Sequence, residues 1–520
     1  MTSSSQHITT LAAHLYLLGG IRRGVEKEGL RVDSAKFLAS TDHPIALGST
    51  LCNSRITTDY AEALLELITA PQPSIEQLRN ELLHVHTFVA KHLGNELMWN
   101  QSMPAQLPPE PEIKIGWYGT SNVGMFKHVY RRGLAERYGK RMQCIAGVHY
   151  NYSLPDALWQ QLNIEGRTLQ EKRSNGDLAL IRNFTRYSWL LMYLFGASPV
   201  VSKDFLGNHS LPLEQVAPDT YCLPWATSLR MSDLGYQNKE AQAELQLCYN
   251  DLDTFLLRIR RASSTSWPAY AEIGTHRDGE RIQLNTNILQ IENEYYSNIR
   301  PKRTPKADER SSTALANEGV EYIEVRCLDV DPFDPIGLSA ESAYFLDVFL
   351  LFCATDPSPI FPDGGFCQDS KDNFAKVVVE GRKPGLLLRN QHKKDVELKS
   401  WAEDILFAMQ PYAELFDKES ASTQHQDALR AQLAKVQDAS LCPSARLLQE
   451  IKDSGLSFVD FTYAQSQAHK QTLLQSKLPA AEKVALEVAA IQSIAQQKAI
   501  EAAPDQPAFE EYLAQYQEMK

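Results

Sequence analysis

The chain has 520 residues, 43% of them hydrophobic and 22% charged, which supplies a large core and room for up to about three domains. Its formal charge of −12 argues against a primary nucleic-acid or anionic-membrane binder, because phosphate neutralisation needs clustered Lys and Arg. A small phosphate compound stays admissible, since one basic pocket is enough to hold it.

The predicted elements run as follows. Leu11, Leu15 and Leu18 suit a first helix that stops at Gly19-Gly20, and residues 20–32 and 56–68 read as strands. After Pro71 and Pro73, Ser74 and Gln77 form a capping-box pattern, and Ile75, Leu78, Leu82, Val85 and Val89 keep helical spacing behind it. His84, His86 and His92 then fall on the surface of that helix rather than forming a metal cluster. Phe126, Tyr130, Leu134 and Tyr138 stand four apart and predict a helix over 122–138, with Gly139 as its stop. Further strand-like runs are 141–154, 282–291 and 320–328.

The most apolar stretch, 187–201, is shorter than the ~20 residues a bilayer span needs and follows Arg182 and Arg186, so a buried helix is expected. Residues 299–303, Ile-Arg-Pro-Lys-Arg, read as a solvated basic loop. Beyond residue 400 Gly455 is the one glycine, and Ala, Gln, Lys, Glu and Leu dominate, which predicts helices. That part holds 17 acidic and 10 basic residues. The expectation is an α+β body over 1–395 with a mainly helical region, 396–520, packed on it. Eight scattered cysteines without a CxxC pair, and a start without signal-peptide character, point to a reduced, cytoplasmic protein.

The P-loop, GxGxxG, GxSxG and HExxH signatures are all absent from the sequence. What remains is a set of carboxylates in apolar, strand-like settings. Glu26 and Glu28 share a strand face, an arrangement that needs a cation or a proton between them, unless the strand is an exposed edge of alternating charge. Asp59, Glu62 and Glu66 lie in a heavily apolar run, where buried carboxylates are paired or bind metal; helical spacing would instead leave Glu62 and Glu66 solvated. Tyr322, Glu324 and Arg326 share a face, as an ion pair or as a metal ligand beside a phosphate clamp. Gln143, Gly147, His149 and Asn151 share another, where a lone histidine is more often a core residue than a ligand.

In this order the pieces resemble the metal-binding set of the glutamine-synthetase-like carboxylate–amine ligases. The longer strings Arg23-Gly-Val-Glu-Lys-Glu-Gly-Leu-Arg31, Thr57-Thr-Asp-Tyr-Ala-Glu-Ala-Leu-Leu-Glu66, Gly147-Val-His-Tyr-Asn151, Thr227-Ser-Leu-Arg-Met-Ser-Asp-Leu-Gly-Tyr236 and Glu321-Tyr-Ile-Glu-Val-Arg326 are similar to those of proteobacterial-type glutamate–cysteine ligases. That resemblance implies a curved antiparallel sheet forming an active-site funnel, with ATP, L-glutamate and L-cysteine as substrates and Mg²⁺, or Mn²⁺ in its place, as the metal. It implies Glu28, Asp59 and Glu66 on one ion, and Glu26, His149 and Glu324 on another. Arg326 is implied to stabilise the transferring phosphoryl group. Tyr60, Tyr130, Leu134, Gln143, Arg230, Tyr236 and Tyr296 would surround cysteine, with Arg230 on its carboxylate. Strand alternation separates Asp59 from Glu66, so a bulge or twist is expected between them.

No nucleic-acid or membrane partner is expected, and a monomer is. The competing readings are a related ligase using another amine, a non-catalytic metal-stabilised binding protein, and a carboxylate-pair glycosidase. The last of these leaves Arg326 without a task.

Overall fold

The computed structural model describes residues 3–206, 212–235, 241, 245–306, 309–504 and 506–518. A seven-stranded antiparallel sheet forms its frame: β1 (Arg22–Val32), β2 (Ile56–Thr58), β3 (Leu64–Ile68), β4 (Leu97–Met98), β5 (Val148–Ser153), β6 (Ile299–Lys302) and β7 (Tyr322–Leu328). The order is β6-β7-β5-β1-β3-β2, with β4 paired to the far end of β1.

β1 is therefore central, not an exposed edge, and its two faces carry opposite charge. Glu26 and Glu28 point to the front. Arg23, Lys27 and Arg31 point to the back, where Arg23 holds Asp347 at 2.6 Å and Arg31 holds Glu96 at 2.8 Å. Burial pulls the Lys27 ammonium down to about 7.

The run 56–68 is a hairpin and not one strand. β2 and β3 pair with Thr57 opposite Glu66, and the Asp59 N–H donates to the Leu64 carbonyl at 3.0 Å to close the turn. Asp59 lies two residues beyond Thr57, so pairing across the hairpin brings it to the Glu66 face without a bulge. The bulge falls elsewhere: the β7–β5 register shifts between Val325 and Leu328, at Arg326.

Three other expectations need correction. Residues 282–291 form a loop held by Gln283 and Gln290 side chains, not a strand. Residues 299–303 are not a solvated loop, since β6 pairs with β7 over Ile299–Lys302; Pro301 is tolerated because β6 is an edge strand. His86 is buried rather than exposed, with Nδ1 2.8 Å from the Leu82 carbonyl.

Helices flank the sheet. Helix α1 (Ile75–His92) is capped by the Ser74 hydroxyl, which accepts from Gln77 N–H, and α2 (Asn122–Tyr138) by Ser121. Helix α2 lies on the front, beside the cavity that Glu26 and Glu28 face. Helix α3 (Leu169–Phe195) carries most of the apolar stretch and is buried through its second half. It packs on β6, β7 and the almost wholly buried α4 (Ala340–Thr355). No helix among the described residues is long and apolar enough to cross a membrane.

Among the described residues beyond 397, six α-helices follow, from Leu398–Ser420 to α5 (Phe509–Glu518). One apolar core runs without a break from Leu11 to Leu486. The 395/396 boundary falls inside the hairpin strand Asp395–Glu397.

Candidate active site

The front of the sheet opens on a cavity of about 330 Å³. Four neighbouring strands, β7, β5, β1 and β3, place its acidic floor. Register sets Glu26 of β1 opposite His149 of β5, and Glu28 of β1 opposite Glu66 of β3. Glu324 of β7 lies opposite Asn151, whose amide donates to Glu26 at 2.9 Å. Glu28 is oriented by the Gly147 N–H at 2.6 Å.

Ligand atoms of Glu26, His149 and Glu324 lie within 4.8 Å of one another, and His149 Nε2 is 3.6 Å from Glu28. An imidazole among carboxylate oxygens at such spacing fits a hard divalent cation.

The electrostatics divide this floor in two. Burial pushes the Glu66 carboxyl well above its usual range, and Glu26, Asp59 and Glu28 push it further. Glu28 is raised as well, first by burial, although His149 opposes it. Burial also works against ionisation of Glu324, yet Arg326, Lys302 and His149 together hold its carboxyl well below the ordinary range. Burial works against ionisation of Glu26 as well, but the bond to His149 and the nearness of His149 and Lys302 together bring its carboxyl below the ordinary range. One half, Glu28, Asp59 and Glu66, is thus short of positive charge. The other half has cations of its own.

Those cations come from β6 and β7. Arg326 Nη1 lies 3.1 Å from Glu324 and 3.3 Å from His149 Nδ1, and Lys302 Nζ is 3.4 Å from Glu324. Arg300 lines the cavity beside them. Arg300 and Lys302 were missed in the sequence, although Arg-Pro-Lys carries the period-two signal of a strand face. Arg131 was missed too; from α2 it reaches the Asp59 carbonyl and stacks over the Tyr118 ring at 4.5 Å.

At the other end Tyr60, Tyr130, Leu134, Gln143 and Tyr296 form the walls. The Tyr60 hydroxyl is buried without a hydrogen-bond partner among the described residues. Gln143 sits in the short 3-10 turn Met142–Cys144, ahead of the strand expected to carry it. Tyr236 lies outside the described residues.

Two expected residues point elsewhere. The Arg230 guanidinium is 1% exposed and does not line the cavity. It donates to the carbonyls of Arg326 at 2.9 Å and Leu328 at 3.2 Å, and its neighbour Gly147 must stay bare because a Cβ there would stand 2.1 Å from it. Glu62 faces away and accepts the N–H groups of His43 and Trp117 at 2.9 and 2.8 Å.

An antiparallel sheet whose one face gathers five carboxylates, an imidazole and several cations around one cavity has the groups a carboxylate–amine ligase needs. The glutamate–cysteine ligase sequence profile matches residues 8–377. The glutamate–cysteine ligase of Bordetella petrii is 55% identical over 99% of this chain and 97% of its own length. That of Pseudomonas putida is 51% identical over 96% and 95%.

Among solved structures, glutamate–cysteine ligase from Francisella tularensis in complex with AMP superposes with a TM-score of 0.88 at 36% identity, covering 96% of this chain and 97% of that one. A bifunctional glutathione synthetase from Pasteurella multocida shares the fold, with a TM-score of 0.70 at 23% identity over 94% of this chain and 58% of its own. The chain belongs to the glutamate–cysteine ligase family.

Proposed function

We propose that this chain joins the γ-carboxylate of L-glutamate to the amine of L-cysteine at the expense of ATP, giving γ-glutamylcysteine, ADP and phosphate, the first step of glutathione synthesis. The observation that carries this reading is the full-length relationship to glutamate–cysteine ligases. A carboxylate is a poor acyl donor because its leaving group would be oxide; phosphorylated by ATP, it leaves as phosphate, and the cysteine amine can attack. Such a transfer asks the protein mainly for positioning and charge stabilisation.

The donor set fits divalent cations, with Glu28, Asp59 and Glu66 holding one and Glu26, His149 and Glu324 another. Bound Mg²⁺, or Mn²⁺ in its place, would neutralise phosphate oxygens that these carboxylates otherwise repel. Arg326 steadies the charge of the phosphoryl group in flight, and Lys302 and Arg300 extend that field along β6. Past Lys302 and Tyr322 a second pocket of about 190 Å³ opens, walled by Phe255, Leu256, Ile259 and Leu315 with Ser311 and Thr304 at its rim. Flat apolar walls continuous with the cationic end suit the purine of ATP.

The aromatic end, with the unpartnered Tyr60 hydroxyl, then takes the small amino acid. Arg230 shapes that end from behind by holding β7, in place of the carboxylate contact expected from the sequence. Eight unpaired cysteines suit a reducing cytoplasm.

Incubation with ATP, Mg²⁺, glutamate and cysteine should release ADP only when cysteine is present. ADP release that is equal without cysteine, or that requires another amine, would assign a different ligase.

A further inference from the structure

Helix α5 (Phe509–Glu518) lies outside the sheet, yet it touches both walls of the amino-acid end of the cavity. One wall is α2, which carries Tyr130 and Leu134; the other is the loop 282–296, which carries Ile291 and Tyr296. Leu513 of α5 is 3% exposed and packs with Val129 of α2 and Leu284 of the loop in an apolar cluster separate from the main core, and Tyr130 and Ile291 pack against that cluster.

Polar contacts ring it. Arg281 Nε donates to Glu510 at 2.9 Å, the Asn122 amide to the Pro507 carbonyl at 2.9 Å, and Gln517 to the Leu284 carbonyl at 3.4 Å. The Tyr516 ring meets Phe126 at 4.6 Å, and its other side faces Arg310, which holds Glu292 at 2.8 Å. On the cavity side the same two walls are joined by the buried Arg137–Glu294 pair at 3.2 Å.

We propose that α5 is an external strap that positions these walls, with Leu513 and Tyr516 as positioning residues for the amino-acid substrate. The inference rests on the ligase reading above. Arg137 and Gln290 tie these walls together on the cavity side, and the small cluster with α5 is what holds them on the outer side; without it their spacing would be less firmly set, and a loosely held pocket binds its substrate weakly. The metal groups and Arg326 sit on the sheet and its β2–β3 turn, away from the α5 contacts above; Tyr516 alone faces Arg310, beside Ser311 of the pocket proposed for the purine, so Leu513 is the residue whose loss should spare ATP.

The test is the Leu513→Ala variant of the full chain, with steady-state kinetics and amide exchange. KM for cysteine should rise about tenfold, KM for ATP should stay within about twofold, and exchange should quicken across 122–138 and 284–294. An undocked, fast-exchanging α5 with unchanged KM for cysteine overturns the proposal, as does an equal rise in both KM values. Should that variant not fold, the half-exposed Glu510 decides: Glu510→Arg sets like charge against Arg281 and should raise KM for cysteine about threefold with KM for ATP unchanged. No rise in KM for cysteine overturns the strap. Cysteine-independent ADP release by the unaltered protein would instead remove the ligase reading, while the exchange measurement still reports on α5.

Discussion

Arg326 shares the cavity face of β7 with Glu324 by plain alternation, beside the register shift between Val325 and Leu328. Its guanidinium meets Glu324 and His149 at 3.1 and 3.3 Å while remaining a fifth exposed to the cavity. A planar fork can hold a carboxylate and still present N–H groups to phosphate; an ammonium at the end of a flexible stem cannot do both. Arg326→Lys is therefore expected to lower kcat by 100-fold or more, about 3 kcal/mol of transition-state stabilisation, with far-ultraviolet circular dichroism and Tm unchanged. Turnover within tenfold of the unaltered protein would show that Arg326 only braces Glu324. Arg230 makes the contrast: a fully buried cation in an equally telling motif, with N–H groups bonded to the carbonyls of Arg326 and Leu328, so it shapes the site without entering it.

At the scale of elements, period-two spacing revealed β1, β5 and β7 and placed Glu26, Glu28, His149 and Glu324 on the front of one sheet. What spacing could not reveal was which strands turn back on themselves. Asp59 and Glu66 look out of phase along one strand and come into phase only across the β2–β3 hairpin, whose turn carries no Gly or Pro to announce it. β6 was hidden for the opposite reason, since Pro301 and three cations suggest a loop until the strand is seen at an edge.

A second such case lies on α3, where Asp177 is buried with Oδ2 lacking a partner among the described residues. Burial pushes its carboxyl up to about 8, against the opposing pull of Arg173. Because the folded value exceeds the unfolded one, the folded state keeps a proton that the unfolded state sheds above about pH 4. Its contribution is thus fully present below pH 4, declines as pH climbs, and is lost above about 8. Asp177→Asn, which mimics the protonated acid, should gain stability over the unaltered protein at pH 8, on the order of a few kcal/mol, and show little difference at pH 4. Urea midpoints at the two pH values measure this; the same difference at both would mean that Asp177 is ionised in the fold.

Across the whole molecule charge is graded along one cavity, from the aromatic end near Tyr60, over the acidic floor, to Arg326, Arg300 and Lys302 and the pocket beyond them. The middle of that gradient is the unstable part. Glu28, Glu66 and Asp59 crowd together on paired strands that cannot move apart, while Arg23, Lys27 and Arg31 lie behind the sheet. A cation bound there is coupled to folding, because an extended chain offers no such cluster. Mg²⁺ at 100 times its dissociation constant should add about 2.7 kcal/mol of stability, read as a rise of a few degrees in Tm, and chelation should reverse it. Glu66→Gln gives the sharper check. Removing one of three crowded carboxyls should raise Tm in chelator, whereas the rise caused by Mg²⁺ should shrink. If Mg²⁺ leaves Tm unchanged while Glu66→Gln still melts above the unaltered protein in chelator, the acidic floor is neutralised by protons and not by metal.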